Sequence, residues 1–437
     1  MKVLKFGGTS VGTAQRIRDV AELIKNDRNI IVLSAMSGTT NSLVEISEYL
    51  YRKNPDGASE VVNKLAARYY GHVEQLYHTP EYRGQAVELI DRHFDHIRVL
   101  TKDLFTLFEE RVVLAQGELL STGLINLYLN EAGVNSVILP ALDFMRTNKN
   151  AEPDPAYISE KLNLLLDTNC DAALYITQGY ICRNAYGEID NLQRGGSDYT
   201  ASLIGAAIQA EEVQIWTDID GMHNNDPRFV DNTSPVRHLH FEEAAELAYF
   251  GAKILHPTCI LPAKLNNIPV RLLNTLQPGA QGTLISNVTG KGLIKAVAAK
   301  DNITAIKIKS GRMLLATGFL RKVFEIFENY QTPIDMVTTS EVGVSCTIDS
   351  DKRLDEIVDE IKNFGNVSVD RDMVIICVVG DMEWENVGFE ASILNALKDV
   401  PLRMISYGGS NYNVSLLVKS SDKHRALNAL SNHLFNN

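Results

Sequence analysis

The sequence predicts an α/β fold, a mostly parallel open sheet with helices on both faces, followed by a smaller α+β region built twice. Three observations carry this reading. Short apolar strands at 3–6, 29–33, 137–139, 173–176 and 213–216 alternate with loops and helix-periodic stretches, the pattern of a parallel sheet. The alternation stops near 278–283, and 287–292 has the Asn/Gly/Lys/Thr composition of a linker. Beyond it, sliding the tail on itself by seventy residues aligns Gly318-Phe319 with Gly388-Phe389, Ser340 with Ser410 and Val344-Ser345 with Val414-Ser415, without a gap.

Taken in order, the first strand ends in Lys5-Phe6-Gly7-Gly8-Thr9-Ser10, and a helix follows through Ile17, Val20 and Ile24. The second ends in Ser34-Ala35-Met36-Ser37-Gly38. The interval 56–118 is charged and helix-periodic, so a helical insertion is expected there, with His93 and His96 on a solvated face. Gln193-Arg194-Gly195-Gly196-Ser197-Asp198 leads into an Ala-, Leu- and Ile-rich helix over 199–210, with Ser197 or Asp198 as its N-cap. Each repeat of the tail reads strand, Gly-Phe, helix (320–330; 391–399), strand (333–338; 402–407), turn, strand. The expected domains are therefore 1–290 and 297–437. The second is divided at about 310–380 and about 381–437, the latter taking the strand near 297–309.

A chain of 437 residues is too long for one core. Its net charge of -12, with no cluster of lysine and arginine, argues against nucleic acid as a partner. No run approaches eighteen apolar residues and the first residues lack an apolar leader, so a cytoplasmic protein with no membrane partner is expected. Cys170, Cys182, Cys259, Cys346 and Cys377 are odd in number and widely spaced, the pattern of reduced buried thiols.

Four stretches carry chemistry. Lys5 with Gly7 and Gly8 forms a phosphate cradle in outline: a cation at a strand end with backbone N–H groups behind it is what phosphoryl transfer needs. Arg194 with the following helix start makes an anion site, open to a carboxylate or a phosphate, because helix N–H groups and dipole favour negative charge and two glycines allow close approach. A capped tight turn is the bland alternative. Trp216-Thr217-Asp218 and Asp226-Pro227-Arg228 offer acids for magnesium or a ribose and a cation for phosphate, or an Asx-turn loop. Lys253 reads as a helix-end cation, His256 as structural, and Glu118 as an ammonium partner or a solvated glutamate.

Together and in this order, Lys5 to Ser10, Gly117-Glu118, Arg194 to Thr200, Trp216-Thr217-Asp218, Asp226-Pro227-Arg228 and Gly251 to Pro257 resemble the aspartate kinases. The resemblance covers the whole chain and implies an amino-acid-kinase fold with two ferredoxin-like ACT units. It also implies a monofunctional, lysine-sensitive type, the chain ending directly after the second unit. The implied reaction is ATP with L-aspartate giving 4-phospho-L-aspartate, first step toward lysine, threonine and methionine, with Mg2+ arriving on ATP.

By the same resemblance, Lys5 sits between the transferring phosphoryl group and its acceptor and Asp198 orients Lys5, while Ser34, Thr40, Glu118, Arg194, Gly195, Gly196 and Ser197 hold aspartate. Lys5, Phe6, Gly7, Gly8, Thr217, Asp218, Asp226, Arg228, Lys253 and Ile254 match ATP positions, and no separate metal site is implied. The lysine site would comprise Met313, Gly318, Phe319, Leu320, Asp335, Thr339, Ser340 and Glu341. The acids favour a cationic effector at the first repeat only, since Asp335 and Glu341 become Ile405 and Asn411 seventy residues on. Two departures stand out: His223 where relatives often carry Tyr, and Ala316 where they often carry Ser. ACT pairing implies a homodimer or homotetramer. The rivals are a catalytically silent amino-acid sensor and a kinase of the same fold acting on another carboxylate.

Overall fold

The computed structural model describes residues 1–101, 104–192, 195–251, 255–288, 294–310 and 317–435. Two compact units emerge, one of Met1–Met222 with Leu255–Asn287 and one of His223–Ile254 with Val288–Asn437.

In the first unit Ser136–Ile138, Leu174–Gln178, Ile30–Leu33, Val3–Phe6, Val213–Thr217, Val270–Asn274 and Thr283–Ser286 lie side by side in that order. Pairing is parallel throughout except at Thr283–Ser286. The inner strands Ile30–Leu33 and Leu174–Gln178 are buried at every position, as strands covered on both faces must be. Lys5 is flanked by Val32 and Ile215, so the loops after three adjacent strands open at one end of the sheet, where open α/β sheets bind ligands.

The insertion forms the helices Pro55–Leu76, Pro80–Leu100 and Leu107–Glu131. Each start is written locally: Asn54 and Thr79 cap prolines at the first turn, and Thr106 with Glu109 forms a reciprocal capping box. Tyr69, Phe94, Ile97 and Leu120 are fully buried between them. His93 is half-buried and bonds Gln116 Oε1 at 2.7 Å, a helix contact where a solvated face is expected, while His96 is exposed as expected. Leu107–Glu131 is long and apolar enough to cross a membrane, yet most of its apolar stretch is buried in this unit. Cys170 is exposed; Cys182, Cys259, Cys346 and Cys377 are buried, and all five are free thiols.

The second unit contains a six-stranded antiparallel sheet ordered Val337–Ser340, Gly343–Ile348, Ile294–Lys309, Asn366–Gly380, Asn413–Lys419 and Met404–Ser406. Its two longest strands run through both repeats. Residues 304–309 pair with Gly343–Ile348 and 305–309 with 366–370, closing the first copy, whereas 294–300 pairs with 375–380 and completes the second. The strand expected near 297–309 is thus divided at the register shift between Lys300 and Ile303. Phe319–Asn329 and Leu354–Ile361 cover the first copy, Phe389–Ala396 and Lys423–Leu434 the second. Residues 333–336, read as strand, precede a shorter strand at Val337–Ser340. The segment Phe241–Tyr249 is a helix of this unit; His240 before it stacks on Tyr412 at 5.1 Å.

Candidate active site

Lys5 reaches the sheet's open end, where its Nζ lies 2.7 Å from Asp198 Oδ1, with both side chains largely buried. Asp198 occupies the first turn of the helix Gly196–Ile208. The N-cap is Gly195 in the left-handed region at φ 70, which side chains rarely adopt, so the expected caps Ser197 and Asp198 do not cap. Instead the Gly195 carbonyl accepts from the backbone N–H of Asp198 and of Tyr199 at 2.9 and 3.0 Å. The early start frees both side chains: Asp198 for Lys5, and the Ser197 hydroxyl to accept from Ser34 Oγ at 3.0 Å.

Around this pair the backbone is packed too tightly for side chains. A Cβ on Gly8 would strike the Ala35 carbonyl, and Ser37 N–H donates to the Gly8 carbonyl at 3.1 Å, zipping the loops after the first two strands together. A Cβ on Gly7 would sit 3.7 Å from Lys5 Nζ, so the lysine folds back over that peptide. Gly179 abuts Ser197, Gly196 abuts the Tyr180 ring, and Gly195 rests on Cys259 and His256. Tyr180 itself is left-handed at φ 68, held by Thr200 Oγ1 accepting from its N–H at 3.0 Å and by Leu192 donating to its carbonyl at 2.8 Å.

Glu118 is buried on Leu107–Glu131 and accepts from Ala35 N–H at 3.2 Å. Burial pushes its carboxyl up to about 7, against the pull of that N–H. The reading as a solvated glutamate is excluded. Thr40 is exposed on the first turn of Thr39–Tyr51, while its neighbour Thr39 is buried, bonded to the Tyr69 hydroxyl at 2.9 Å and accepting from Arg68 Nη2 at 2.8 Å.

The structure therefore brings Lys5, Gly7, Gly8, Ser34, Glu118, Gly195, Gly196, Ser197 and Asp198 to the loops of one unit. Phe6, matched to the ATP side, is fully buried and stacks on Trp216 at 5.7 Å, so its ring serves the core. Thr217 accepts from Ile219 N–H and Asp218 is exposed beside it. Asp226 and Arg228 belong to the second unit, where the Arg228 guanidinium grips Asp226 with contacts of 2.6 to 3.1 Å; that partner holds the Arg228 pKa above its usual value. His223 bonds Thr233 Oγ1 at 2.9 Å and His256 bonds Thr258 Oγ1 at 2.8 Å. Arg194, Lys253, Ile254, Met313 and Ala316 lie outside the described residues. Sequence reasoning missed Tyr180, Arg68 and Cys259, none of which sits in a motif.

In the first repeat, Gly318 is a left-handed N-cap at φ 89 and Leu320 is exposed beside it, but Phe319 is buried in that copy's core. Thr339, Ser340 and Glu341 are exposed along the edge strand and its turn. Asp335, expected to await a cationic effector, is already engaged: its side chain is 1% exposed and its Oδ1 lies 2.6 Å from Lys300 Nζ and 3.0 Å from the Tyr249 hydroxyl. Among the described residues no group of three His, Cys, Asp or Glu is placed to hold a metal ion.

Residues 1–274 match the amino acid kinase family and 376–434 the ACT domain. The chain is 34% identical to the lysine-sensitive aspartokinase 3 of Escherichia coli, covering 99% of each, and 34% identical to the chloroplastic aspartokinase 1 of Arabidopsis thaliana, covering 99% of this chain and 80% of that protein. Among solved structures, E. coli aspartokinase III with aspartate and ADP is 33% identical with a TM-score of 0.83, each chain covered fully. The same enzyme with lysine and aspartate is 34% identical at the same TM-score, covering 100% of this chain and 99% of that one.

Proposed function

The chain belongs to the aspartokinase family, and from that premise we infer that it transfers the γ-phosphoryl group of ATP to the β-carboxylate of L-aspartate, giving 4-phospho-L-aspartate and ADP. The observation that carries this reading is the Lys5–Asp198 pair, set at a strand end between a glycine cradle and the Gly195–Ser197 turn. A carboxylate acceptor is ionised at neutral pH and needs no general base; the obstacle is repulsion between two anions, which a fixed ammonium offsets. Lys5 meets the transferring group, the Gly7 and Gly8 amides assist, and Asp198 aims the lysine. Ser34, Thr40, Glu118, Arg194, Gly195, Gly196 and Ser197 hold aspartate, Glu118 taking its α-ammonium and Arg194 its α-carboxylate. A buried carboxylate suits an ammonium because removing water strengthens the pair.

On the nucleotide side we assign the backbone at Phe6, Gly7 and Gly8 with Thr217, Asp218, Asp226, Arg228, Lys253 and Ile254. Magnesium would enter on the ATP phosphates, held mostly by them and by water, and spread the phosphate charge. Lysine is the proposed effector of the first ACT copy, and pairing through ACT units into a homodimer or homotetramer is the proposed assembly. The support is that an E. coli relative is a lysine-sensitive enzyme and was solved with lysine and aspartate.

ADP release measured with L-aspartate, L-glutamate and no acceptor tests the reaction, repeated with lysine, threonine and methionine for the effector. Aspartate-dependent turnover lowered by lysine is the expected outcome. Acceptor-independent turnover would overturn the assignment. Absence of turnover would favour a silent sensor, against which the intact Lys5–Asp198 pair already argues.

A further inference from the structure

Lys300 ends the stretch of strand that completes the second ACT copy, at the register shift where the long strand passes into the first. Its Nζ lies 2.6 Å from Asp335 Oδ1, 3.0 Å from Asp349 Oδ2 and 4.4 Å from the centre of the Tyr249 ring. The Tyr249 hydroxyl donates to the same Asp335 oxygen at 3.0 Å. Asp335 Oδ2 is buried without a hydrogen-bond partner. One lysine side chain of this protein therefore already fills a pocket of the kind a free lysine's ε-ammonium seeks: a buried carboxylate with an aromatic face alongside.

We propose that Lys300 is a tethered competitor for the effector pocket, and that free lysine acts by taking Asp335 from Lys300 and passing it to Asp349. This rests on the reading of lysine as effector. The chemistry of the exchange is balanced, since one ammonium replaces another on Asp335 and no charge is left buried alone. Asp349 is 41% exposed and already within 3.0 Å, so Lys300 keeps a counter-ion after leaving. Simultaneous occupancy is disfavoured, because two ammonium groups on one buried carboxylate repel each other at low effective dielectric. Asp335 Oδ2, buried and without a hydrogen-bond partner, is a second acceptor for the incoming ammonium once Lys300 has moved aside.

The exchange has a built-in reporter. Tyr249 is the last residue of the helix Phe241–Tyr249, and the exchange changes which ammonium, tethered or free, lies against its ring while its hydroxyl stays on Asp335. This helix belongs to the same 223–254 segment as Asp226 and Arg228, assigned above to the nucleotide. Effector binding thus reaches, through one aromatic ring, the stretch of chain whose residues meet ATP.

The test uses the full chain and two substitutions of opposite sign. In Lys300→Met the competitor is gone, and the lysine concentration giving half-inhibition of ADP release should fall about tenfold, one charge-assisted contact being worth at least that much. In Asp349→Asn the displaced ammonium loses its refuge, and the concentration should rise several-fold. Lys300→Arg, which keeps the cation, should stay within about twofold of the parent. Turnover without lysine should be unchanged in all three. An unchanged or raised half-inhibition concentration in Lys300→Met overturns the proposal. Should Lys300→Met fail to fold, Lys300→Gln takes its place, and Asp349→Asn decides alone if it leaves the threshold unmoved. If the parent enzyme turns over aspartate but ignores lysine, the effector reading itself fails. The melting temperature with and without lysine then decides the exchange, which is overturned if lysine shifts neither the parent nor Lys300→Met.

Discussion

Cys259 lies directly beneath Gly195, its thiol donating to the Gly195 carbonyl at 3.5 Å in space that a Cβ on the glycine would need. Burial pushes that thiol up to about 12, with Asp198 adding to the effect, so it stays protonated and remains a donor. The carbonyl that starts the helix Gly196–Ile208, proposed to hold aspartate, thus rests on a sulfur. Cys259→Val, which adds a methyl group and deletes the donor, is expected to lift the Gly195–Ser197 turn and raise the KM for aspartate about tenfold. The KM for ATP should stay within twofold. Cys259→Ser should restore most of the affinity. Equal loss for both substrates in initial-rate kinetics would remove Cys259 from this role.

Lys5→Met deletes the only ammonium paired with Asp198 among the described contacts and leaves that carboxylate at the proposed transfer point. The kcat should fall by about a thousandfold or more, the scale of losing one preorganised charge contact, with folding retained by circular dichroism. Asp198→Asn should cost less, on the order of a hundredfold, because the lysine survives but is no longer aimed. Similar modest losses in both variants would point to a different cation at the transfer site.

The Glu118 carboxyl, raised to about 7 by burial, gives the enzyme a pH signature. In the role proposed for Glu118 only the ionised form attracts the substrate ammonium, so the KM for aspartate should climb as pH falls through about 7. Glu118→Gln should have a high KM with that dependence removed. Stability carries the opposite sign. A carboxyl whose folded pKa exceeds its unfolded value binds more protons when folded, so stability is lost as pH rises from about 4.5 to about 7. Glu118→Gln should accordingly melt higher than the parent at pH 8, and a lower melting point would contradict the buried, ammonium-free state.

Gly8→Ala would drive a methyl group into the Ala35 carbonyl. Backbone cannot step aside as a side chain can, so the loops after the first two strands must part, at a cost of about 1–3 kcal/mol by chemical denaturation. The KM for ATP should rise with it. Gly71→Ala, inside the helix Pro55–Leu76 where the added atom meets nothing, serves as the control: it should stabilise by about 0.5–1 kcal/mol and leave the KM for ATP unchanged.

Contiguous motifs were the legible part of the site. Lys5 to Gly8 announce themselves because a strand end, a cation and two glycines are adjacent in sequence and remain adjacent in space. The helix start at Gly196 was misplaced because capping preferences favour Ser and Asp; here the close approach of Cys259 demands a glycine at the cap and releases both side chains for chemistry. Apolar residues inside motifs mislead in the same way, since Phe6 and Phe319 fill cores. The engagement of Asp335 was invisible for a different reason. Its partner Lys300 is brought to it by strand register and Tyr249 by a helix from far upstream, and neither relation leaves a local pattern. The repeat, by contrast, was plain in the text of the sequence, while its division of one strand between two copies was not.

That shared strand also sets an order of assembly during synthesis. Residues 294–300 leave the ribosome ahead of the rest of both copies, yet their partners at 375–380 come about eighty residues later, and the helix Lys423–Leu434 that covers the same copy later still. The stretch must therefore wait, unpaired, while the first copy closes around the rest of the same strand. Lys300 stands at the boundary between the half that has folded and the half that is waiting. The first copy can close on a nascent chain, but the second cannot be separated from it by any cut that leaves its strands intact.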